Sequence, residues 1–371
     1  MRRTGGLTRP RISVPWLAAA AAVALLGLAV ARAFPGEARQ PWYDAALEAS
    51  GKAALAQRVV LEALEERGLG PVPEDLNGTG LIGLDWTVLT TSLGQLEAKR
   101  TSLNPDFAAL LVRLYTEAGL ASGDAVAIGA SGSFPALTVA SLAAADALGL
   151  RARVIASVGA SMYGATRPEM SIADILLLLQ EKAVLEFSLL AVSPGGDADR
   201  GGGGIVEGGR AAILQEAESA GVPVILEDTL GASVARRLAL YGDDVRLFVN
   251  VGGASPNMGE TADSLRLPPG LLTSVPTLPD GPDRGLLYEY AARGVPVIHL
   301  LNIRALAAQY GLPFDPVPLP RPGSATLYFR IEYPRLIPAL GAGAALVCLY
   351  IGVSSHRKRQ EFTESNPSLE A

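Results

Sequence analysis

The chain is expected to fold as an α/β protein, with a mostly parallel, doubly wound (Rossmann-like) sheet in an exported domain flanked by N- and C-terminal transmembrane helices. Three observations carry that expectation. Short apolar runs with β-branched members alternate with helical stripes along the middle of the chain. The words Gly221-Val222-Pro223-Val224-Ile225 and Gly294-Val295-Pro296-Val297-Ile298 repeat one design, a helix that stops at glycine and enters a buried strand. Two long uncharged stretches stand near the ends, and they lift the hydrophobic share to 49% and the mean hydropathy to +0.29.

The first uncharged stretch, residues 14–31 of the segment 14–33, follows Arg2, Arg3, Arg9 and Arg11. Its length suits a membrane anchor, while Ala31-Arg32-Ala33 has the small-x-small form of a signal-peptidase site, so it reads as an anchor or a signal peptide. The second, residues 336–353, precedes His356, Arg357, Lys358 and Arg359. Basic flanks stay inside, so both termini are expected in the cytoplasm and the main domain outside the cytoplasmic membrane. The resulting plan is a basic N-terminus at 1–13, the segment 14–33, an extracytoplasmic α/β domain at 34–311, a proline-rich stalk at 312–335, a transmembrane helix at 336–353 and a cytoplasmic tail at 354–371. Tyr328, Phe329 and Tyr333 would sit at the outer interface as aromatic anchors. Net charge −6 argues against a nucleic-acid partner. The single cysteine, Cys348, cannot form an intrachain disulfide, and with only His299 and His356 as imidazoles no metal centre or other cofactor is expected.

In order, residues 43–67 form a helical stripe closed by Gly68, and 71–83 read as loop. A hydroxyl-rich loop then carries the adjacent cations Lys99 and Arg100, and Asn104-Pro105-Asp106 starts the helix 107–118. The apolar residues 125–128 make a buried strand that passes through Gly129-Ala130-Ser131-Gly132-Ser133 into a helix beginning at Pro135 and running to about 148. A strand at 153–157 leads to Gly159 and Ser161, completing a parallel crossover unit. Ser171 and Asp174 form a capping box heading a long apolar helix to about 191, followed by a glycine-rich loop at 194–204. Helices at 206–220, 232–241 and 284–293 alternate with strands at 222–226, 245–251 and 295–301.

The chemistry concentrates at the turn 129–133. A strand feeding a helix through small residues aims backbone N–H groups at one point and favours an anion there. Gly129, Ser131, Gly132 and Ser133, with Ser161 from the next strand end and Gly252, Gly253, Ser255 and Asn257 from the turn after 245–251, are the expected ligand-binding set, and Lys99 and Arg100 supply positive charge. The same turn nearly matches the nucleophile elbow G-x-S-x-G, with Ser133 in place of the last glycine. Asp228 and His299 follow in the chain order of a Ser-Asp-His triad, so a second reading has Ser131 as nucleophile and His299 as base, although His299 falls inside a strand. A third reading treats the turn as close packing.

At Ala98 to Leu110, Gly129 to Leu137 and Ser157 to Ser161 the chain resembles the bacterial poly-gamma-glutamate system protein family, over about residues 45–309. The resemblance implies a membrane-anchored accessory protein of poly-gamma-glutamate synthesis or export, and it brings no catalytic residues with it. Its expected partners are the cytoplasmic membrane, an anionic polymer such as poly-gamma-glutamate, and other membrane subunits of the system. The alternatives from the residues are a surface serine hydrolase or transferase acting on gamma-glutamyl bonds, and a purely structural assembly subunit.

Overall fold

The computed structural model describes residues 12–203, 206–279, 281 and 284–365. Arg2, Arg3, Arg9 and Arg11, and Gly204 of the expected glycine loop, lie outside the described residues. The chain divides into two compact units, one formed by the terminal segments up to Arg39 and from Phe329, the other by Gln40–Tyr328.

The terminal unit holds α1 (Val14–Ala33) and β1 (Gly36–Arg39) from the start of the chain, and β12 (Phe329–Glu332) and α12 (Leu336–Ser365) from its end. Both helices are long and apolar enough to cross a membrane, with mean hydropathy 2.2 over the first and 2.1 over Leu336–Lys358. They pack antiparallel, Gly27 against Gly341 and Trp16 against Gly352, and glycine is what permits the approach: a Cβ on Gly27 would lie 3.2 Å from the Gly341 Cα. β1 and β12 pair antiparallel from Gly36↔Glu332 to Arg39↔Phe329.

The larger unit is mixed α/β. It runs α2 (Tyr43–Glu66), β2 (Thr90–Ser92), α3 (Leu96–Ser102), α4 (Asp106–Glu117), β3 (Ala125–Ser131), α5 (Pro135–Ala147), β4 (Arg151–Ser157), β5 (Ala160–Ser161), β6 (Thr166–Arg167), β7 (Met170–Ser171) and α6 (Ile172–Glu181). β8 (Ser188–Ser193), α7 (Gly209–Ser219), α8 (Leu230–Tyr241), β9 (Val245–Val251), α9 (Ser255–Met258), β10 (Gly270–Leu272), α10 (Leu286–Ala292), β11 (Val297–Leu300) and α11 (Ile303–Tyr310) complete it. The central sheet has the order β10-β11-β9-β3-β4-β8, parallel throughout except for the edge strand β10. Strand side chains alternate between its two faces. Ala127, Ile155, Phe248 and Val297 join Leu230, Val234 and Tyr241 of α8 and Leu287 and Tyr290 of α10 in one core layer, where Phe248 and Tyr290 stack at 5.0 Å. Helices α2, α4 and α5 pack on one another, and α5 lies on β3 and β4.

Several sequence expectations change here. The apolar helix expected to reach about residue 191 stops at Glu181, because Ala183 turns the backbone left-handed (φ 50°) and Ser188–Ser193 leaves to become the outermost parallel strand. The strand expected at 222–226 shrinks to a single bridge, Val192 to Val224, because Pro223 contributes only its carbonyl. The hydroxyl-rich loop before Asn104 contains α3.

The proline-rich segment expected as a stalk lies for most of its length on the larger unit. Asn77 binds the Pro316 carbonyl and the Leu319 N–H, and Asp106 accepts from the N–H groups of Gly323 and Ala325. Tyr328, expected at a membrane interface, is fully buried and donates to Asp106 at 2.6 Å. The capping box at Ser171 and Asp174 forms as its spacing requires.

Candidate functional site

The register of the sheet decides which residues share its carboxyl edge. Ser131 pairs with Ser157 and Ser157 with Ser193, so three adjacent parallel strands end on one rung of hydroxyls. Ligands of open α/β sheets gather outside such an edge. After Ser131 the chain turns tightly: the Ser133 and Phe134 N–H groups return to the Ser131 hydroxyl and carbonyl, and Pro135 opens α5. After Ser157 it continues to Ser161, whose N–H donates to the Ser133 Oγ at 3.0 Å. The parallel pair β2–β5 brings Thr91 and Ser92 across this end, and α3 follows directly.

The space enclosed is a cavity of about 360 Å³ lined by Thr91, Lys99, Ser131, Ser133, Phe134 and Ser161, with Gly253, Ser255, Asp197 and Arg304 among the residues around it. Lys99 is its most unusual feature. The side chain is 2% exposed, donates to the Ser133 carbonyl and to the Ser161 Oγ at 2.6 Å, and holds its Nζ 3.9 Å from the centre of the Phe134 ring. Among the described residues no carboxylate pairs with it, and desolvation pulls its pKa down to about 7. Asp197 and Arg304 are exposed, so the surround carries one charge of each sign.

The expected binding set divides cleanly. Lys99, Ser131, Ser133, Ser161, Gly253 and Ser255 line the cavity. Gly129, Gly132, Gly252 and Asn257 serve packing. The Asn257 side chain lies where a Cβ of Gly129 would be and donates to the Gly129 carbonyl at 2.8 Å. A Cβ on Gly132 would come 2.6 Å from the Val158 carbonyl oxygen, and Gly252 has φ 78° against the Ser131 side chain. Arg100 points elsewhere, forming a two-pronged ion pair with Asp315 at 2.7 and 2.6 Å. A helix explains the separation, since neighbouring residues on it do not face the same way.

The Ser131–Asp228–His299 triad does not form. His299 lies on the rung Gly129–Asn250–His299–Gly270, two strands from Ser131, and its Nδ1 meets the Asn250 Nδ2 at 2.9 Å. Burial pulls its pKa down to about 4, leaving a neutral core histidine. Asp228 is exposed, and its carbonyl accepts from Arg200. No hydrogen bond joins any two of the three.

Sequence reasoning missed Ser157, Ser193, Thr91 and Arg304. The signal for the serine rung was present, since each of the three strands ends on serine. Only the register shows that they align. Beside that rung the structure buries Arg237, which pairs with Asp199 at 2.8 Å and donates to Ser193 at 2.7 Å, while Ser193 and Ser233 both donate to Asp199. This network folds the start of the expected glycine loop onto the sheet. Comparison of the chain with protein-family models, curated proteins and solved structures yields no match.

Proposed function

We propose that the protein is a membrane-anchored accessory component of poly-gamma-glutamate synthesis or export, whose extracytoplasmic, doubly wound unit binds gamma-glutamyl carboxylates in the Lys99 cavity. The observation that carries this reading is the buried lysine, which has no counter-ion among the described residues. A desolvated ammonium is costly to keep unless something negative arrives to pair with it. A carboxylate would supply the missing charge, with serine and threonine hydroxyls ready to donate to its oxygens. Arg304 offers a second cation to a chain that carries one carboxylate per residue, and the acidic remainder of the protein keeps such a polymer from adhering elsewhere. The two apolar helices and their basic flanks support anchoring with both termini in the cytoplasm, where other subunits of the system would meet them.

The test is calorimetric titration of the full-length protein in detergent with a short gamma-linked glutamate oligomer, at two salt concentrations. Saturable, salt-sensitive binding that Lys99→Met abolishes is the expected result. Equal binding by wild type and Lys99→Met, or none by wild type, defeats the reading and leaves a structural assembly subunit in its place.

A further inference from the structure

Three serines, Ser131, Ser133 and Ser161, line the cavity with Lys99, and their hydrogen bonds distinguish them. Ser131 Oγ accepts the Ser133 N–H at 3.1 Å, and Ser133 Oγ accepts the Ser161 N–H at 3.0 Å, so both hydroxyls are held by the turn. Among the described residues Ser161 Oγ has one partner, the Lys99 Nζ at 2.6 Å. The amine is fixed from the other side by the Ser133 carbonyl and roofed by the Phe134 ring, which keeps water from it. A serine hydroxyl against a desolvated amine is the arrangement of a nucleophile with its base.

We propose that Ser161 and Lys99 form a serine–lysine pair that opens amide bonds of a gamma-glutamyl chain held in the cavity. The substrate class rests on the function proposed above; the pair itself rests on the geometry. Ser161 Oγ attacks the amide carbonyl carbon while its proton passes to the neutral Lys99 amine. The tetrahedral adduct collapses with cleavage of the C–N bond, and the Lys99 ammonium returns the proton to the departing amine. Water then attacks the ester on Ser161, losing a proton to Lys99, and as the C–O bond to Ser161 breaks the Lys99 ammonium returns that proton to the departing Oγ, which releases a carboxylic acid and regenerates free serine and neutral lysine. An amine in place of water transfers the chain instead. With its pKa lowered to about 7, a large fraction of Lys99 is neutral near pH 7, which an exposed lysine is not. While Lys99 acts as base, Arg304 remains the cation available to the substrate carboxylate.

The experiment treats the full-length protein in detergent with a fluorophosphonate, maps the adduct by peptide mass spectrometry, and measures gamma-linked oligomer binding and chain shortening on the same preparation. The expected adduct is on Ser161. It should be absent in Ser161→Ala, form about 100-fold more slowly in Lys99→Met, and form faster as pH rises, levelling off above about 7. Circular dichroism of each variant separates lost labelling from lost fold. An adduct on Ser131 or Ser133, or undiminished labelling in a folded Lys99→Met, overturns the pair. Wild type that binds the oligomer but takes no label also overturns it and leaves the binding function standing. A Ser161 adduct in a protein that neither binds nor shortens the oligomer overturns the gamma-glutamyl assignment.

Discussion

Lys99 and Arg237 are both buried cations near the carboxyl edge of one sheet, 2% and 1% exposed, and the fold surrounds them in opposite ways. Arg237 meets a carboxylate of equal burial, and both Ser193 and Ser233 bond to the pair. Lys99 has a carbonyl, a hydroxyl and an aromatic face, and among the described residues no negative charge. A compensated ion joins elements together, whereas an uncompensated one holds electrostatic energy available to a ligand or a reaction. On the function proposed above, the first is a structural pair and the second the place where a ligand supplies the charge.

The largest effect should come from breaking the compensated pair. Asp199→Ala leaves the guanidinium of Arg237 alone in the core and should cost about 3–5 kcal/mol in urea unfolding. Replacing both partners by leucine should cost much less, because no buried charge remains. Lys99→Met should act with the opposite sign, raising the unfolding midpoint at pH 6 while removing oligomer binding. An unfolded lysine titrates near 10.5 and this folded one near 7, so between those values the unfolded chain holds more protons. Wild-type stability attributable to Lys99 therefore rises with pH across that window. The advantage of Lys99→Met, seen in parallel melts, should shrink as pH climbs from 7 towards 10.5.

Oligomer affinity should run the other way, weakening as pH rises through about 7 and the ammonium that pairs with the carboxylate is lost. His299 contributes at the acid end. Its pKa falls from 6.5 to about 4 on folding, so its share of stability is lost as pH drops from 6.5 to about 4, and His299→Asn should flatten that limb of a stability profile. The smallest effect belongs to Arg100→Ala, which removes a partly exposed pair with Asp315 worth about 0–1 kcal/mol in denaturant titration and should leave binding unchanged.

Much of the scaffold could be read from the chain. The strand, turn and helix from Ala125 to Ala147 were legible because apolar β-branched residues, small residues and Pro135 each favour the same local structure. The end of α6 was not, because residues 172–191 contain no glycine or proline, and the polar break Gln180-Glu181-Lys182 suits the exposed face of a continuing helix as well as a turn into a strand. At the site, the sequence pairs Lys99 with Arg100, whereas the structure puts Lys99 in the cavity wall and turns Arg100 to Asp315. α3 is a seven-residue helix without an apolar stripe, so nothing in its composition showed that two adjacent cations would face apart. His299 was suspected by its place in chain order. The register of three strands is what removes it from Ser131, and register is a long-range property.

The ribbon of β1 and β12 has a topological consequence. The helices join it at the Gly36 and Glu332 rung, and the chain between them leaves and returns at the Arg39 and Phe329 rung. Residues 40–328 are thus a cassette with one doorway. A nick anywhere inside the cassette yields two fragments still clasped by the ribbon and the helical pair, and an unrelated domain with neighbouring termini could be inserted between Arg39 and Phe329 without re-routing either helix.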